Sequence, residues 1–354
     1  MMRVAVDEAD LRARVQRRLD AFVDEQAALL VDESPQLLQL ADAARDLLRG
    51  GKRLRAAFCY WGFRGAGGPD GDEIVAAAAA LELLHASALV HDDVMDDSDT
   101  RRGQPAVHRR FAKVHADAGW HGSPERFGQA AAILLGDLAL GWSAELFVRS
   151  GLPAPALLRG QPVFDLMRTQ LMGGQYLDVL EQAHGAGTVE SATTVITYKS
   201  AKYSVEHPLL VGASLAGAGD DVLAAFSSYG LPLGLAFQLR DDVLGVFGDP
   251  GRTGKPAGDD LREGKRTVLV ATALAAASPV QAEVLGRLGD PDLTADDLDR
   301  MRRVIVDTGA LAGVEARIAA LVDEAAAALT TVSLAEPAGS VLEALIGAAT
   351  ERLA

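Results

Sequence analysis

Two clusters of aspartate interrupt stretches that otherwise read as apolar helix, and basic residues follow each at short distance. The first is Asp92, Asp93 and Asp96, with Arg101 and Arg102 just beyond. The second is Asp241 and Asp242, preceded by Gln238 and followed by Lys255 and Lys265. Residues four apart on a helix lie on one face, so Asp92 stacks with Asp96. Gln238, Asp241, Asp242 and Gly245 likewise share one face at i, i+3, i+4 and i+7. Carboxylates paired at the edge of a core repel one another unless a cation sits between them. Mg²⁺ suits this pattern, because it takes oxygen ligands, keeps several waters and joins carboxylates to phosphates. Two such clusters point to hard cations held between two helices, and their basic neighbours point to a shared phosphate ligand. That is chemistry for a diphosphate.

The basic groups run against the chain's balance. A formal net charge of −15 argues against wholesale nucleic-acid binding, which requires a basic face. Cations nevertheless gather at Lys52, Arg53 and Arg55 after Gly50-Gly51, at Arg101-Arg102, at Lys199, and at Lys255 and Lys265. Arginine forks grip phosphate oxygens in bidentate fashion, and lysine supplies a point charge. Taken singly, each group also fits a solvated surface cation, the reading kept for Lys202 and Arg240. His85 falls on the stripe of Asp92 two turns earlier, where it could donate to a second anion; an ordinary core histidine is the plainer reading. Asp97 and Asp99 read as solvated. The Asp-x-Asp-x-Asp-Gly spacing of a calcium loop is absent, and no histidine has a zinc-like partner spacing. No Ser-His-Asp or Cys-His nucleophile is present.

The elements that must position these groups read as helices. The chain has 354 residues, 49% hydrophobic and only 5% aromatic, so its core is built from Ala, Leu and Val, a composition that favours helix over strand. Helical spacing runs over 8–30, 35–49, 71–96, 130–150, 163–183, 189–217, 219–247, 266–277, 279–289, 294–308, 309–331 and 337–353. Residues 115–127 read as a loop, and 248–265, rich in Gly, Pro and charge, as a mobile surface loop. No strand is expected. Cys59 is the single cysteine, which excludes an intrachain disulfide and fits a reducing compartment. The N-terminus lacks the apolar region of a signal peptide, and Ile74 to Val90, holding Glu82 and His85, reads as too short and interrupted for a membrane span. These features describe a cytoplasmic, all-α, single-domain protein over 1–354.

An ordered set of motifs resembles the trans-isoprenyl diphosphate synthases, or polyprenyl synthetases. It comprises Gly-Gly-Lys-Arg-Leu-Arg (50–55), Leu-Glu-Leu-Leu-His (81–85) before the first Asp cluster, Arg-Arg-Gly-Gln-Pro (101–105) and Gly136-Asp137. Lys199-Ser200, Phe237-Gln238-Leu239 before the second cluster, and Gly254-Lys255-Pro256 complete it. The resemblance covers about 50–265 and is nearest to bacterial geranylgeranyl diphosphate synthases. It implies a helical bundle around a deep central cavity, usually as a homodimer without stable membrane insertion. It also implies that Asp92 and Asp96 bind two Mg²⁺ ions and Asp241 a third, with Asp93 and Asp242 in support. By the same resemblance, Arg101, Lys199 and Lys255 hold the diphosphate of an allylic substrate, while Lys52, Arg55, His85 and Arg102 hold isopentenyl diphosphate. Ser200 and Gln238 line the reacting end, and Lys265 contributes to closure. The sequence departs from the family at Gly245, where a third Asp often stands; Asp249 is a water-mediated substitute to consider.

The implied reaction is head-to-tail prenyl transfer. In the family, side chains four and five residues before the first Asp help form the cavity floor. Here they are Ala88 and Ser87, both small, with Leu84 one turn deeper, so a twenty-carbon product, geranylgeranyl diphosphate, is expected. Farnesyl or longer products are the alternatives. A terpene cyclase has no use for the second diphosphate group of Lys52, Arg55 and Arg102, and a non-catalytic partner subunit has no need to keep both Asp pairs.

Overall fold

The computed structural model describes residues 2–185, 187–248 and 258–350. The fold is all-α. In chain order the helices are α1 (Met2–Glu33), α2 (Leu38–Leu47), α3 (Leu54–Gly65), α4 (Asp72–Met95), α5 (Val107–Asp117), α6 (Pro124–Val148), α7 (Ala154–His184) and α8 (Val189–Ile196). A π-helical segment, Thr197–Glu206, leads into α9 (His207–Ala216) and α10 (Asp220–Phe247). After the undescribed stretch come α11 (Asp259–Arg262), α12 (Val268–Ala276), α13 (Pro279–Leu285), α14 (Ala295–Asp307), α15 (Ala310–Leu329) and α16 (Ala338–Thr350). The strands among the described residues are a two-residue antiparallel ribbon, Thr100–Arg101 with Gln104–Pro105. Part of the loop expected over 248–265, with Asp249 and Lys255 in it, lies outside the described residues.

Two helices were not legible from spacing, for different reasons. From Ala56 to Phe63, α3 is buried on every side, so it carries no polar face to set a period. In α5 the buried residues are His108, Phe111 and His115, a helical stripe that disappears when histidine is counted as polar. The loop expected over 115–127 shrinks accordingly, because Pro124 opens α6 behind the Ser123 cap, whose side chain accepts from the Arg126 N–H.

Contacts group the chain into two compact units: residues 1–160 with 212–217, and residues 161–211 with 218–354. In the first, α4 packs on α6 around Leu81, Leu84, Leu135 and Leu146, all within 1% of full burial. Phe22 meets the Trp142 ring edge-on at 6.3 Å. In the second, α10 packs on α15 and on the π-helical segment, and Leu239, Val243, Leu269 and Ile305 form its centre. The expectation about membrane spans needs a correction. The helix containing Ile74 to Val90 is 24 residues long, and α4, α6 and α10 are all long and apolar enough to cross a membrane by length and composition. In α4, however, 78% of the apolar window is already buried within the protein, so its hydrophobicity is spent on the core.

Candidate functional site

The first cluster ends α4. Asp92 and Asp93 lie in its last turn, and Asp96 is the cap, its N–H donating to the Asp92 carbonyl. Carboxylates at a helix C-terminus face the negative end of the dipole, and no basic residue of α4 offsets them there. The compensating cation comes from the ribbon: Arg101 Nε donates to Asp93 Oδ1 at 2.8 Å, its second nitrogen closes on the same oxygen, and Asp92 Oδ2 lies 3.8 Å away. Asp93 is buried, and burial pushes its carboxyl up while Arg101 opposes the shift. Asp92 keeps 18% of its side chain in solvent. The two adjacent residues therefore differ: Asp93 turns inward to Arg101, and Asp92 stays accessible. Asp97 and Asp99 are exposed, as expected, and pair with Arg109 at 3.0 and 2.8 Å.

The Gly50-to-Arg55 loop is tied to α4 by a buried ion pair. Arg53 Nη1 lies 3.2 Å from Glu82 Oε2, the side chains being 5% and 4% exposed. Glu82 Oε1 also accepts from the Ala56 N–H at 3.2 Å, and Arg53 Nη2 donates to Gln16 Oε1 at 2.6 Å. Arg53 holds this position at φ 55°, a left-handed conformation that a residue other than glycine adopts only at a cost. The Arg102 guanidinium, from a residue also at positive φ, lies over Gly51. His85 is held well below the ordinary imidazole range, first by burial and then by the charges of Arg55, Arg102, Arg101 and Arg53. Several arginines bearing on one neutral histidine make a site that favours an anion. Lys52 is exposed beside them. Of the expected floor, Ser87 and Leu84 are fully buried and Ala88 is half-buried.

The second cluster sits on α10, opposite the π-helical segment that carries Lys199 and Ser200. Extra residues in a helical turn commonly mark functional positions, and here they present both side chains. Ser200 Oγ hydrogen-bonds Gln238 Oε1, and Gln238 Nε2 donates to Asp242 Oδ1 at 2.8 Å. Asp242 is 4% exposed; burial pushes its carboxyl up to about 8, and the charges of Asp260 and Asp241 add to that. Asp241 remains half-exposed on the same helix. Lys199 Nζ donates to Asp178 Oδ2 of α7 at 2.6 Å. That contact depends on Gly174, where a Cβ would stand 2.8 Å from the Lys199 Cα and hold the two segments apart. Lys265 Nζ reaches Glu263 Oε2 at 2.6 Å.

Within the first unit the structure brings together Asp92, Asp93, Arg101, Arg102, Arg55 and His85. Within the second it brings together Lys199, Ser200, Gln238, Asp241, Asp242 and Lys265. Sequence reasoning missed Asp178, Asp260 and the Arg53–Glu82 pair. A signal for Glu82 existed: a carboxylate within a run of Ala and Leu needs a partner. Among the described residues, no three His, Cys, Asp or Glu side chains converge closely enough to hold a metal unaided. The donors are hard carboxylates, and Asp242 Oδ2 is buried without a hydrogen-bond partner, a combination that fits Mg²⁺ shared with a phosphate ligand.

An all-helical fold whose acidic helix faces are flanked by basic side chains defines an enzyme that transfers prenyl groups from diphosphates. The chain belongs to the polyprenyl synthetase family, whose model matches residues 38–305. A geranylfarnesyl diphosphate synthase of Aeropyrum pernix is 33% identical over 299 residues, 83% of this chain and 88% of that protein. A geranylgeranyl diphosphate synthase of Mycobacterium tuberculosis is 35% identical over 260 residues, 73% of this chain and 69% of that one. Among solved structures, the geranylgeranyl pyrophosphate synthase of Corynebacterium glutamicum, complexed with isoprenyl diphosphate and magnesium, superposes with a TM-score of 0.93. It is 41% identical, with 97% of this chain and 98% of that chain covered.

Proposed function

We propose that this protein is a magnesium-dependent trans-prenyltransferase that condenses isopentenyl diphosphate head-to-tail with an allylic diphosphate, and that its product is geranylgeranyl diphosphate. The observation that carries the reading is the group of arginines around a neutral His85, beside the carboxylates that end α4. Arg101, Lys199 and Lys255 hold the allylic diphosphate, while Lys52, Arg55, His85 and Arg102 hold isopentenyl diphosphate. Asp92 and Asp96 hold two Mg²⁺ ions and Asp241 a third, with Asp93 and Asp242 in support. When bound, the ions act as Lewis acids that offset the charge growing on the departing diphosphate.

The chain's own residues do the rest. Neutral His85 donates a hydrogen bond without adding repulsion to the surrounding arginines. Arg101, anchored on buried Asp93, meets the leaving oxygens in a fixed orientation, which is how a preorganised charge lowers a barrier. Ser200 and Gln238, locked to one another and to Asp242, bound the reacting end. The allylic C–O bond ionises, the isopentenyl alkene attacks the resulting carbocation, and a proton passes to the released diphosphate. Lys265 and the segment before it close the site against water, which would trap the cation as an alcohol.

Small Ser87 and Ala88 above fully buried Leu84 support a twenty-carbon limit. The family match spans both compact units, which supports one catalytic domain over 1–354. A homodimer in the cytoplasm completes the proposal; on α7, Met172, Tyr176 and Val179 form an exposed apolar stripe that a second copy would cover. The test is incubation with labelled isopentenyl diphosphate, Mg²⁺ and each of three allylic starters, with chromatography of the dephosphorylated products. A dominant twenty-carbon alcohol supports the proposal, and a farnesyl or longer product overturns the length assignment alone. Allylic substrate converted to hydrocarbon without elongation indicates a cyclase. No turnover by folded protein indicates a non-catalytic partner subunit.

A further inference from the structure

The π-helical segment, Thr197–Glu206, is wound wider than the α-helices on either side, and at its end the His207 N–H donates to the Lys202 carbonyl, five residues back. Turns of this kind are rare and short. Closing the segment as ordinary α-helix, one residue tighter, would turn everything before it by about 100°. Lys199 and Ser200 lie in the part that would turn, so their direction depends on what holds the wide form.

The rigid partner is α10. Its Tyr229 hydroxyl donates to the Leu342 carbonyl of α16 at 2.7 Å, and Arg240 grips Glu315 of α15 with both prongs, at 2.6 and 2.7 Å. Ser227, Gly230, Gly234 and Gln238 follow at i, i+3, i+7 and i+11 along one face of α10. Each meets the π-helical segment. Gln238 holds Ser200, and a Cβ at Gly234 would stand 2.7 Å from the Ala201 Cα. At Gly230 it would stand 2.7 Å from the Glu206 Cα. Backbone therefore lies on backbone at two places, and a smooth contact of that kind resists sliding poorly. Directional bonds come at the far end. Glu206 is 3% exposed and both its carboxylate oxygens are engaged: Oε1 accepts from Ser227 Oγ at 2.6 Å, and Oε2 from Lys202 Nζ at 2.9 Å. Lys202, which reads in the sequence as a surface cation, keeps only 20% of its side chain in solvent.

We infer that Glu206, with Lys202 and Ser227, is a positioning residue that locks the π-helical segment in register on α10 and so aims Lys199 and Ser200 at the allylic diphosphate. A buried ion pair rarely adds more stability than apolar residues of similar volume, so stability alone does not account for this one. Direction does. One Glu206 oxygen takes a donor from its own segment and the other a donor from α10, and a slipped register loses one of them. The part played by Lys199 and Ser200 rests on the prenyl-transfer reading above; the lock rests on the geometry.

Two variants decide it, E206Q and the apolar double variant K202M/E206L. E206Q keeps an acceptor for Ser227 and removes the anionic oxygen that holds Lys202. K202M/E206L keeps the volume without the directional bonds. The readouts are melting temperature, hydrogen exchange of the amides over 197–206, and KM for each substrate beside kcat. We expect both variants to exchange those amides at least about tenfold faster than wild type. KM for the allylic substrate should rise about tenfold while KM for isopentenyl diphosphate stays unchanged. The double variant should do this without a loss of melting temperature, because apolar replacement of a buried pair is often neutral or stabilising. Wild-type exchange over 197–206 in K202M/E206L overturns the inference, and so does a wild-type allylic KM. Faster exchange throughout the chain, or an equal rise in both Michaelis constants, overturns it as well by assigning the effect to the fold at large. If the wild-type protein condenses nothing, the prenyl-transfer reading falls, and the exchange rates still decide whether Glu206 holds the segment.

Discussion

Lys199 and Asp178 form an ion pair of 2.6 Å between the π-helical segment and α7, with only 25% and 19% of their side chains in solvent. The pair fixes the ammonium of a residue assigned to the allylic diphosphate. Asp178→Asn should therefore raise KM for the allylic substrate about tenfold, a loss near 1.4 kcal/mol, and leave KM for isopentenyl diphosphate unchanged. Steady-state kinetics with each substrate varied in turn checks this, and an equal rise in both constants would contradict it.

The buried Arg53–Glu82 pair predicts a stability effect. Glu82→Ala leaves the Arg53 charge uncompensated inside the protein and should cost about 3–5 kcal/mol, read from urea midpoints. Replacing both residues with apolar ones of similar volume should return much of that stability. It should not return binding of isopentenyl diphosphate, because the pair also anchors the loop of Lys52 and Arg55. Recovery of both together would show that the pair does no positioning.

Asp92 is the accessible member of the first cluster, and Asp92→Ala should lower kcat on the order of 10²-fold or more with the fold intact. Circular dichroism establishes folding, and single-turnover rates give the effect. Near wild-type turnover in folded protein would remove Asp92 from the metal assignment.

Ser87 is fully buried one turn before Asp92. Ser87→Phe adds a ring to the proposed floor and should shorten the main product from twenty carbons towards fifteen, at some cost from overpacking of about 1–3 kcal/mol. An unchanged product distribution would place the floor elsewhere.

His207 gives a pH prediction outside the two aspartate clusters. Burial holds it down at about 4 from an ordinary 6.5, with Glu206 opposing the shift and Lys202 assisting it, while its Nε2 contacts Gln170 Oε1 at 2.8 Å. Between these values the unfolded chain binds a proton that the folded protein does not, so stability falls as pH drops from 6.5 towards 4. His207→Gln should flatten that slope, and melting curves at several pH values test it. An unaltered slope would assign the acid sensitivity to other groups.

The sequence by itself determined the helical class, the family, and the residue types that handle a diphosphate, because those signals are local. Periodicity records which face of a helix is buried, and motifs such as Gly50-Gly51-Lys52 record backbone geometry within a few residues. Partner choice is not local. Only the tertiary structure decided that Asp93 turns to Arg101 while its neighbour Asp92 stays accessible, or that Arg53 reaches back to Glu82 across 29 residues. The same holds for Lys199 with Asp178 and for the Asp260 carboxylate beside Gly245. Each depends on how helices distant in sequence pack, and a side chain's charge state and role follow from what that packing removes from water. Spacing along the chain carries no record of that, which is why the acidic faces were legible from the start and their assignments were not.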